Sequence, residues 1–397
     1  MTPYLLAIPL VSGLIGWGTN ALAIRMLFRP IEWVGLWRLG WQGVLPANAE
    51  RMASICVQLM TAHLLDVKKI FERIDPDKIS SLLSPALEKH AVEIVDEVLS
   101  ARYPMLWDSL PDRVRKNARD RLALEVPHVV QKLMAELRKD LDRYLAVESL
   151  VVDAFVGNRT LLNKLFWRCG RSEFLFIARS GLVFGLLFGC VQAVVWTRVQ
   201  PDWFLPVTGL FIGWLTNWVA LKMVFEPQQA KVLGPIRWQG LFLMRQDEVS
   251  DAYARFFADR ILHPEALVDA ILRGPATDHL MQLLQRYVGE GIDHASGPAR
   301  PLLQLAVGTK DWSLLKQEIS HRLIEKIPEE LDRIHQYTEE TLDLKEELAT
   351  NLKGLSSAEF EQVLRPLFQQ DERTLIAVGA ILGAVAGFIQ WVLVSGL

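Results

Sequence analysis

The sequence has little of what most enzymes and disulfide-bonded domains need. Its 397 residues include only three cysteines, Cys56, Cys169 and Cys190, which are too few and too scattered for a disulfide framework or a cysteine-based zinc site. Its eight histidines show no ligand spacing. It contains neither a phosphate-binding glycine loop nor the common hydrolase and metalloprotease motifs. We therefore expect no enzymatic activity, no metal site and no cofactor.

A large excess of charge is also missing. The net charge is −3 and the isoelectric point is about 6.3, so the overall charge does not indicate a nucleic-acid partner. Apolar residues, in contrast, are abundant: 51% of the chain is hydrophobic and the mean hydropathy is +0.18. Because 22% of the residues are charged, the composition predicts a few membrane spans joined to large water-soluble segments.

Four apolar segments are long enough to cross a bilayer, whose core needs roughly 20 helical residues. They are residues 3–24, 174–196, 203–221 and 374–397. The first has no basic region before it and exceeds the usual length of a signal peptide, so we expect it to remain in the mature protein. The spans leave two long segments between them, residues 47–172 and 244–372.

Basic residues are concentrated at the span ends that face the two long segments. They are Arg25, Arg29, Arg38, Arg168, Arg171, Lys222, Lys231, Arg237, Arg365 and Arg373. The short loop between the second and third spans carries only Arg198, which Asp202 offsets. The positive-inside rule therefore predicts that both long segments lie in the cytoplasm and both termini outside.

The sequence contains two copies of one pattern. The motif Gly-Trp-x-Thr-Asn-x2-Ala-x-Arg/Lys-Met-x-Phe-x-Pro begins at Gly16 and again at Gly213, and Trp-Gln-Gly follows it in both places. The motif Gly-x3-Gly-x3-Gly-x2-Gln begins at Gly181 and again at Gly379. The nearly constant offset predicts two tandem repeats, residues 1–199 and 200–397, each formed by a span, a helical segment and a span. Both repeats would enter the membrane in the same direction, related by a pseudo-two-fold axis along the membrane normal.

These paired motifs are similar to those of an uncharacterised family of bacterial inner-membrane proteins that includes the YjiN and YheB proteins. The resemblance covers nearly the whole chain. It implies an all-α membrane fold in the inner membrane, and no mechanism, because no activity is established for that family. Members of the family have a basic run after Gln-Gly, whereas this sequence has Leu45-Pro46-Ala47-Asn48 and Phe242-Leu243-Met244-Arg245.

Polar side chains in or near the predicted spans form one group of candidate site residues. They are Thr19, Asn20, Gln192, Thr216, Asn217 and Gln390. An unpaired amide in hydrocarbon costs several kcal/mol, so each should find a partner. The group either forms interhelical hydrogen bonds or lines a polar interface that contacts an ion, a lipid headgroup or a small solute.

Two further groups lie near the same spans. Arg25 and Lys222 either extend to the cytoplasmic interface or bind the phosphate of an anionic lipid. The glycines of the second motif share one helix face and predict a seam of close helix packing. They are Gly181, Gly185, Gly189, Gly379, Gly383 and Gly387.

The two long segments carry apolar stripes at helical spacing. One stripe includes Val126, Val130, Leu133 and Leu137, and its counterpart in the second segment includes Leu323 and Ile327. Mixed charges on their polar faces favour packing of the helices against each other, and the alternative is lipid binding at the bilayer surface or along an apolar groove. Strand signals are sparse, with short hairpins predicted at residues 32–41 and 228–238.

We interpret the chain as an all-α membrane protein with four transmembrane helices and a large helical cytoplasmic domain. The predicted function is that of a non-enzymatic, oligomeric scaffold or assembly factor acting through the cytoplasmic helices. The alternative is a channel or transporter for lipid or a small solute, with a polar interface between the repeats. The expected partners are membrane lipids, further copies of the chain and a cytoplasmic protein.

Overall fold

A computed structural model describes residues 3–36, 39–198, 203–233, 236–297 and 300–395. In the first half the helices are α1 (Pro3–Phe28), α2 (Val44–Ala47), α3 (Ala49–His63), α4 (Val67–Phe71), α5 (Pro76–Arg102), α6 (Pro104–Ser109), α7 (Asp112–Lys139), α8 (Leu141–Tyr144), α9 (Val147–Gly157) and α10 (Arg159–Trp196). In the second half they are α11 (Phe204–Phe225), α12 (Leu241–Met244), α13 (Gln246–Arg260), α14 (Pro264–Arg273), α15 (Thr277–Ser296), α16 (Arg300–Val307), α17 (Thr309–Glu330), α18 (Asp332–Leu342), α19 (Leu344–Gly354) and α20 (Ser357–Ser395). The strands are β1 (Val34–Leu36), β2 (Leu39–Trp41), β3 (Lys231–Leu233) and β4 (Ile236–Trp238).

The chain divides into two compact units, and each takes segments from both halves of the sequence. The first, which we call the span unit, comprises Met1–Leu64, Val151–Asp259 and Lys345–Leu397. The second, which we call the helical unit, comprises Leu65–Leu150 and Arg260–Leu344. Each predicted repeat therefore contributes to both units. The predicted repeat boundaries and the symmetry axis stay predictions.

The span unit contains four helices that are long and apolar enough to cross a membrane. The candidate spans are Ile8–Phe28, Arg159–Trp196, Phe204–Phe225 and Glu372–Val392, which overlap all four predicted spans. The most extensive helix contacts in this unit join α1 to α10 and α11 to α20, and α1 also touches α11 and α20.

Two of these helices extend further than the predicted spans. The predicted second span starts at residue 174 and the fourth at residue 374, whereas α10 begins at Arg159 and α20 at Ser357, between about four and five turns earlier. The extension of α10 buries Leu162, Leu165 and Phe166, so it has an apolar face of its own. Each helix therefore continues beyond the end of its apolar run. Hydropathy alone identifies only the part of the helix that is apolar enough to cross a bilayer.

Each half also forms a short antiparallel hairpin. Strand β1 pairs with β2 and β3 pairs with β4, which confirms both predicted hairpins; their turns at 37–38 and 234–235 lie outside the described residues. The Gln42 side chain donates to the Ile31 carbonyl (2.8 Å) at the base of one hairpin, and Gln239 donates to the Gln228 carbonyl (3.1 Å) at the other. The Trp-Gln-Gly motif thus closes the same loop in both halves.

The helical unit is built around a ring of four helices, two from each half of the sequence. Helix α5 packs against α7, α7 against α15, α15 against α17, and α17 against α5. The apolar stripes explain the arrangement, because each helix must bury one face. Part of the core is a cluster of buried side chains: Leu137, Tyr144, Leu280, Leu283, Leu284 and Ile324.

Candidate functional site

The six predicted glycines lie in the contacts between paired span helices. A methyl group on Gly185 would stand 2.5 Å from the Ser12 carbonyl oxygen, and one on Gly189 would stand 2.7 Å from the Pro9 Cα atom. In the second half, a methyl group on Gly383 would clash with the Gly209 carbonyl. Only glycine allows this backbone approach, so the geometry is that of a packing seam.

The two Thr-Asn pairs make the same contacts in both halves. The Asn20 side-chain nitrogen donates to the Ile177 carbonyl on α10 (2.9 Å), and Asn217 donates to the Leu375 carbonyl on α20 (2.8 Å). Thr19 and Thr216 donate to carbonyls on their own helices, those of Gly16 and Gly213. These contacts are interhelical and intrahelical hydrogen bonds; a role of the pairs in transport stays a prediction.

The two glutamines differ in their partners. The Ser12 hydroxyl donates to Gln192 Oε1 (3.1 Å), and Gln192 Nε2 donates to the Thr208 hydroxyl (2.8 Å), which links α1, α10 and α11. Gln390 is equally buried, but its Nε2 has no hydrogen-bond partner among the described residues. Gly209 occupies the position that corresponds to Ser12, so the second half lacks the hydroxyl that Gln192 uses.

A small void of about 20 Å³ lies beside these side chains, among α1, α10, α11 and α20. Ser12, Thr19, Gln192 and Gln390 line it together with seam glycines. A void of this volume holds about one water molecule, and it offers the two or more polar partners that a buried water needs. The polar residues predicted in the spans are thus partly gathered at one place, except for Asn20, Thr216 and Asn217, which do not line it.

The two predicted basic residues have different surroundings. Lys222 lies 3.4 Å from a Glu226 carboxylate oxygen and 5.0 Å from the centre of the Trp218 ring. Arg25 is exposed and lines an open cleft with Arg29. The repeat predicts equivalent roles for Arg25 and Lys222. In the structure, however, Lys222 has the Glu226 carboxylate as its neighbour, whereas Arg25 shares its cleft with the cation of Arg29.

A charged contact that the sequence did not predict lies outside the apolar part of the span unit. Arg245, at the end of α12, donates to both carboxylate oxygens of Glu173 (2.8 and 3.0 Å), and it also contacts Glu248. The Glu173 side chain is only 5% exposed. Burial is the largest single effect and lowers the pKa of Arg245, but the hydrogen bonds and negative charges of Glu173 and Glu248 together raise it overall. The signal in the sequence was Glu173 itself, a carboxylate directly before a predicted span.

The helical unit contains an apolar cavity of about 180 Å³. Helices α5, α7, α15 and α17 line it, with further side chains from α14 and α18. The predicted stripe residues Val126, Val130, Leu133, Leu137, Leu323 and Ile327 all face it. Among the described lining residues only Glu125 and Thr338 carry polar side chains. The sequence predicted the stripes but not the space between them.

These features define a helical membrane protein with a tightly packed span unit and an apolar cavity in a separate helical unit. The chain is similar to proteins named UPF0754 membrane protein. One from Synechococcus is 24% identical over 96% of this chain and 95% of its own length, and one from Staphylococcus aureus is 20% identical over 96% and 95%. A further Synechococcus relative is 21% identical over 98% of both chains. No family profile and no solved structure matches the chain.

The helices of the structure and the names of the relatives together confirm the predicted class, an all-α membrane protein. Their names say nothing about substrate, partner or mechanism. The finer likeness to YjiN and YheB proteins stays a prediction, as do the inner-membrane location and the placement of the termini.

Proposed function

We propose that this protein is a non-enzymatic protein of the bacterial inner membrane that binds the acyl chain of a membrane lipid in its helical unit. The observation that carries the proposal is the apolar cavity of about 180 Å³ among α5, α7, α15 and α17. Of the two functions that the sequence left open, a scaffold and a channel or transporter, the proposal is closer to the second, because that function also involves lipid. A scaffold acting through the same helices is the alternative outcome of the test below.

The chemistry of the lining selects an apolar ligand. An apolar cavity offers water no hydrogen-bond partners, and an engineered cavity of about 150 Å³ lined by similar side chains stays dry and binds benzene. A cavity of about 180 Å³ without contents would cost about 4 kcal/mol at ~24 cal/mol per Å³. Because filling it restores dispersion contacts, an apolar chain that enters should stabilise the unit.

Lipid is the apolar ligand that fits the rest of the chain. Four candidate spans anchor the protein in a bilayer, where acyl chains are the most abundant apolar molecules. Each methylene group that moves from water into an apolar site contributes about 0.8 kcal/mol. We place the helical unit in the cytoplasm and both termini outside, on the distribution of basic residues near the spans.

The polar interface of the span unit supports hydrogen bonding between helices better than passage of a solute. Its void of about 20 Å³ has room for about one water molecule, which is far less than a lipid headgroup needs. Assembly into oligomers and contact with a cytoplasmic protein remain predictions. Native mass spectrometry of protein released from nanodiscs would count the subunits and the retained lipids together.

The test is photolabelling in nanodiscs that contain a phospholipid with a diazirine on its acyl chain. Labelled peptides are located by mass spectrometry. We expect labels on α7 and α15 at cavity positions such as Val130 and Leu284. The variant Ala91→Leu fills part of the cavity from α5 and should lower this labelling several-fold. Labelling of the spans should be unchanged and serves as the internal reference.

The matched control is Ala295→Leu. Ala295 is also a buried alanine of the helical unit, but it does not line the cavity. Both substitutions add the same volume, so a loss of labelling caused by overpacking would occur in both variants. Labels confined to the spans, or equal cavity labelling in wild type and Ala91→Leu, would overturn the proposal and favour the scaffold.

A further inference from the structure

The end of α1 carries two arginines that lie one helical turn apart. Arg29 continues the helix, because its backbone nitrogen donates to the Arg25 carbonyl (2.9 Å). Both side chains are exposed and both line an open cleft of about 580 Å³, together with Leu22, Met26, Pro30 and Ile31. The cleft therefore combines two guanidinium groups with an apolar wall.

Nothing in the described part of the chain neutralises this pair. Neither guanidinium forms an ion pair with a described residue, and like charges four residues apart on a helix repel each other. The second half has a different arrangement at the corresponding positions. There Lys222 and Glu226 stand four residues apart as an ion pair (3.4 Å), and the local charge cancels. The chain thus has one cationic pair where the repeat predicts two equivalent sites.

We infer that Arg25 and Arg29 form a binding site for the phosphate of an anionic phospholipid, and that the second half has no such site. Guanidinium groups bind phosphate through paired, charge-assisted hydrogen bonds, which a lysine cannot reproduce. The cleft lies at the end of the candidate span Ile8–Phe28, the place where a spanned bilayer would present its lipid headgroups. Leu22 and Met26 offer an apolar surface to the acyl chain beside the headgroup.

The site does not depend on the cavity of the helical unit, so either assignment can fail without the other. Its ligand must be an anion that also has an apolar portion, which separates a phospholipid from free phosphate. A zwitterionic lipid has the same phosphate, but its headgroup also carries a positive charge, so its net charge is zero. It should therefore bind more weakly than a lipid with net negative charge.

The test titrates short-chain phosphatidylglycerol, short-chain phosphatidylcholine and inorganic phosphate into the full-length protein in neutral detergent. Adducts are counted by native mass spectrometry. We expect one bound phosphatidylglycerol per chain whose affinity falls about tenfold in Arg29→Glu, a change of about 1.4 kcal/mol. This variant copies the second half's arrangement of a cation and a carboxylate, so it should fold as the wild type does.

The matched control is Lys222→Gln, which removes a basic residue at the corresponding position. It should change the affinity less than twofold, about the scatter of such measurements. An equal loss in Lys222→Gln would show a diffuse charge effect and overturn the inference. So would unchanged binding in both Arg29→Glu and Arg25→Gln. Competition by inorganic phosphate as effective as that by the lipid would assign the arginines to a free anion and overturn the lipid assignment.

Discussion

The two halves of the span unit use the same helix seam but different chemistry at its ends. In both, a glycine face receives the backbone of a neighbouring helix, and an asparagine donates to a carbonyl across the contact. In the first half, Trp167 and Phe174 stack with ring centres 6.0 Å apart, and both contact Phe28 edge-on. In the second half, the corresponding positions hold Arg365 and Glu372.

Several positions that hold an aromatic or amide side chain in the first half hold a charged one in the second. Arg365 lies over the Phe225 ring, 5.8 Å from its centre, so it covers the counterpart of Phe28 as Trp167 does in the first half. It also pairs with the buried Glu361, which stands where the first half has Asn163. Arg245 forms a further ion pair with the buried Glu173 carboxylate, and it stands at the position of Asn48.

This comparison teaches which parts of the two halves are constrained. The seam tolerates no side chain larger than hydrogen, so both halves keep glycine there. The ends of the helices accept either stacked aromatic rings or ion pairs, since aromatic rings cover Phe28 in the first half and Arg365 covers its counterpart Phe225 in the second. Charge placed there must be paired, because a lone buried ion is costly.

The largest predicted effect concerns the seam, which the two halves share. Gly16→Ala and Gly213→Ala should each destabilise the span unit by at least about 3 kcal/mol, because the new methyl group meets a backbone carbonyl that cannot move aside. Thermal unfolding in detergent measures the loss. Gly18→Ala is the control, since nothing lies within 4 Å of its methyl position. A large loss in only one half would break the comparison.

The next effect concerns the ion pair that joins Arg245 of the second half to Glu173 of the first. Arg245→Asn installs the residue that the first half has, and it leaves the Glu173 carboxylate buried without its cation. We expect a loss of about 3 kcal/mol, as for a broken buried ion pair. The double variant with Glu173→Gln should recover much of this loss in the same unfolding assay, because the buried charge is gone. A single variant as stable as the wild type would contradict this account.

The smallest effect depends on pH. The Lys353 ammonium bonds to Asp251 at 2.6 Å, and this hydrogen bond raises the pKa of Lys353. A raised pKa in the folded state stabilises the protein below the unfolded-state pKa, and the contribution is lost as pH rises through the folded-state value. Lys353→Val, which copies Val156 of the first half, should therefore be less stable than the wild type at pH about 7, and the difference should narrow near pH 12 to the part that helix propensity causes.

Denaturation at the two pH values checks this prediction. The control is Lys345→Val on the same helix, which makes the same substitution but leaves the bond to Asp251 intact. A stability difference for Lys353→Val that does not narrow at high pH would mean that packing, and not the ion pair, is responsible.

Much of the span unit could be predicted from the sequence. The spacing of Gly181, Gly185 and Gly189 puts them on one helix face whatever the helix packs against. The partners of the polar residues could not be predicted in the same way. Gln192 and Gln390 occupy matching motif positions, and Gln192 accepts a hydrogen bond from the Ser12 hydroxyl on α1. The residue on α11 that corresponds to Ser12 is Gly209, which has no hydroxyl to offer Gln390.

The helical unit shows the same limit more clearly. The apolar stripe that contains Val126 and Leu137 predicts which face of α7 is buried, since periodicity determines the side of a helix. It does not predict how well four such faces fill the space between them. That depends on the volumes of side chains from α5, α7, α15 and α17, which are far apart in the chain.

The sequence by itself determined the class of this protein, its four spans and its glycine seam, because hydropathy and periodicity are local properties of the chain. Only the tertiary structure decided that segments of both halves share each compact unit, that Arg25 and Lys222 differ in their neighbours, and that a cavity lies within the helical unit. The reason is physical: pairing of charges and filling of volume depend on which distant residues meet in space.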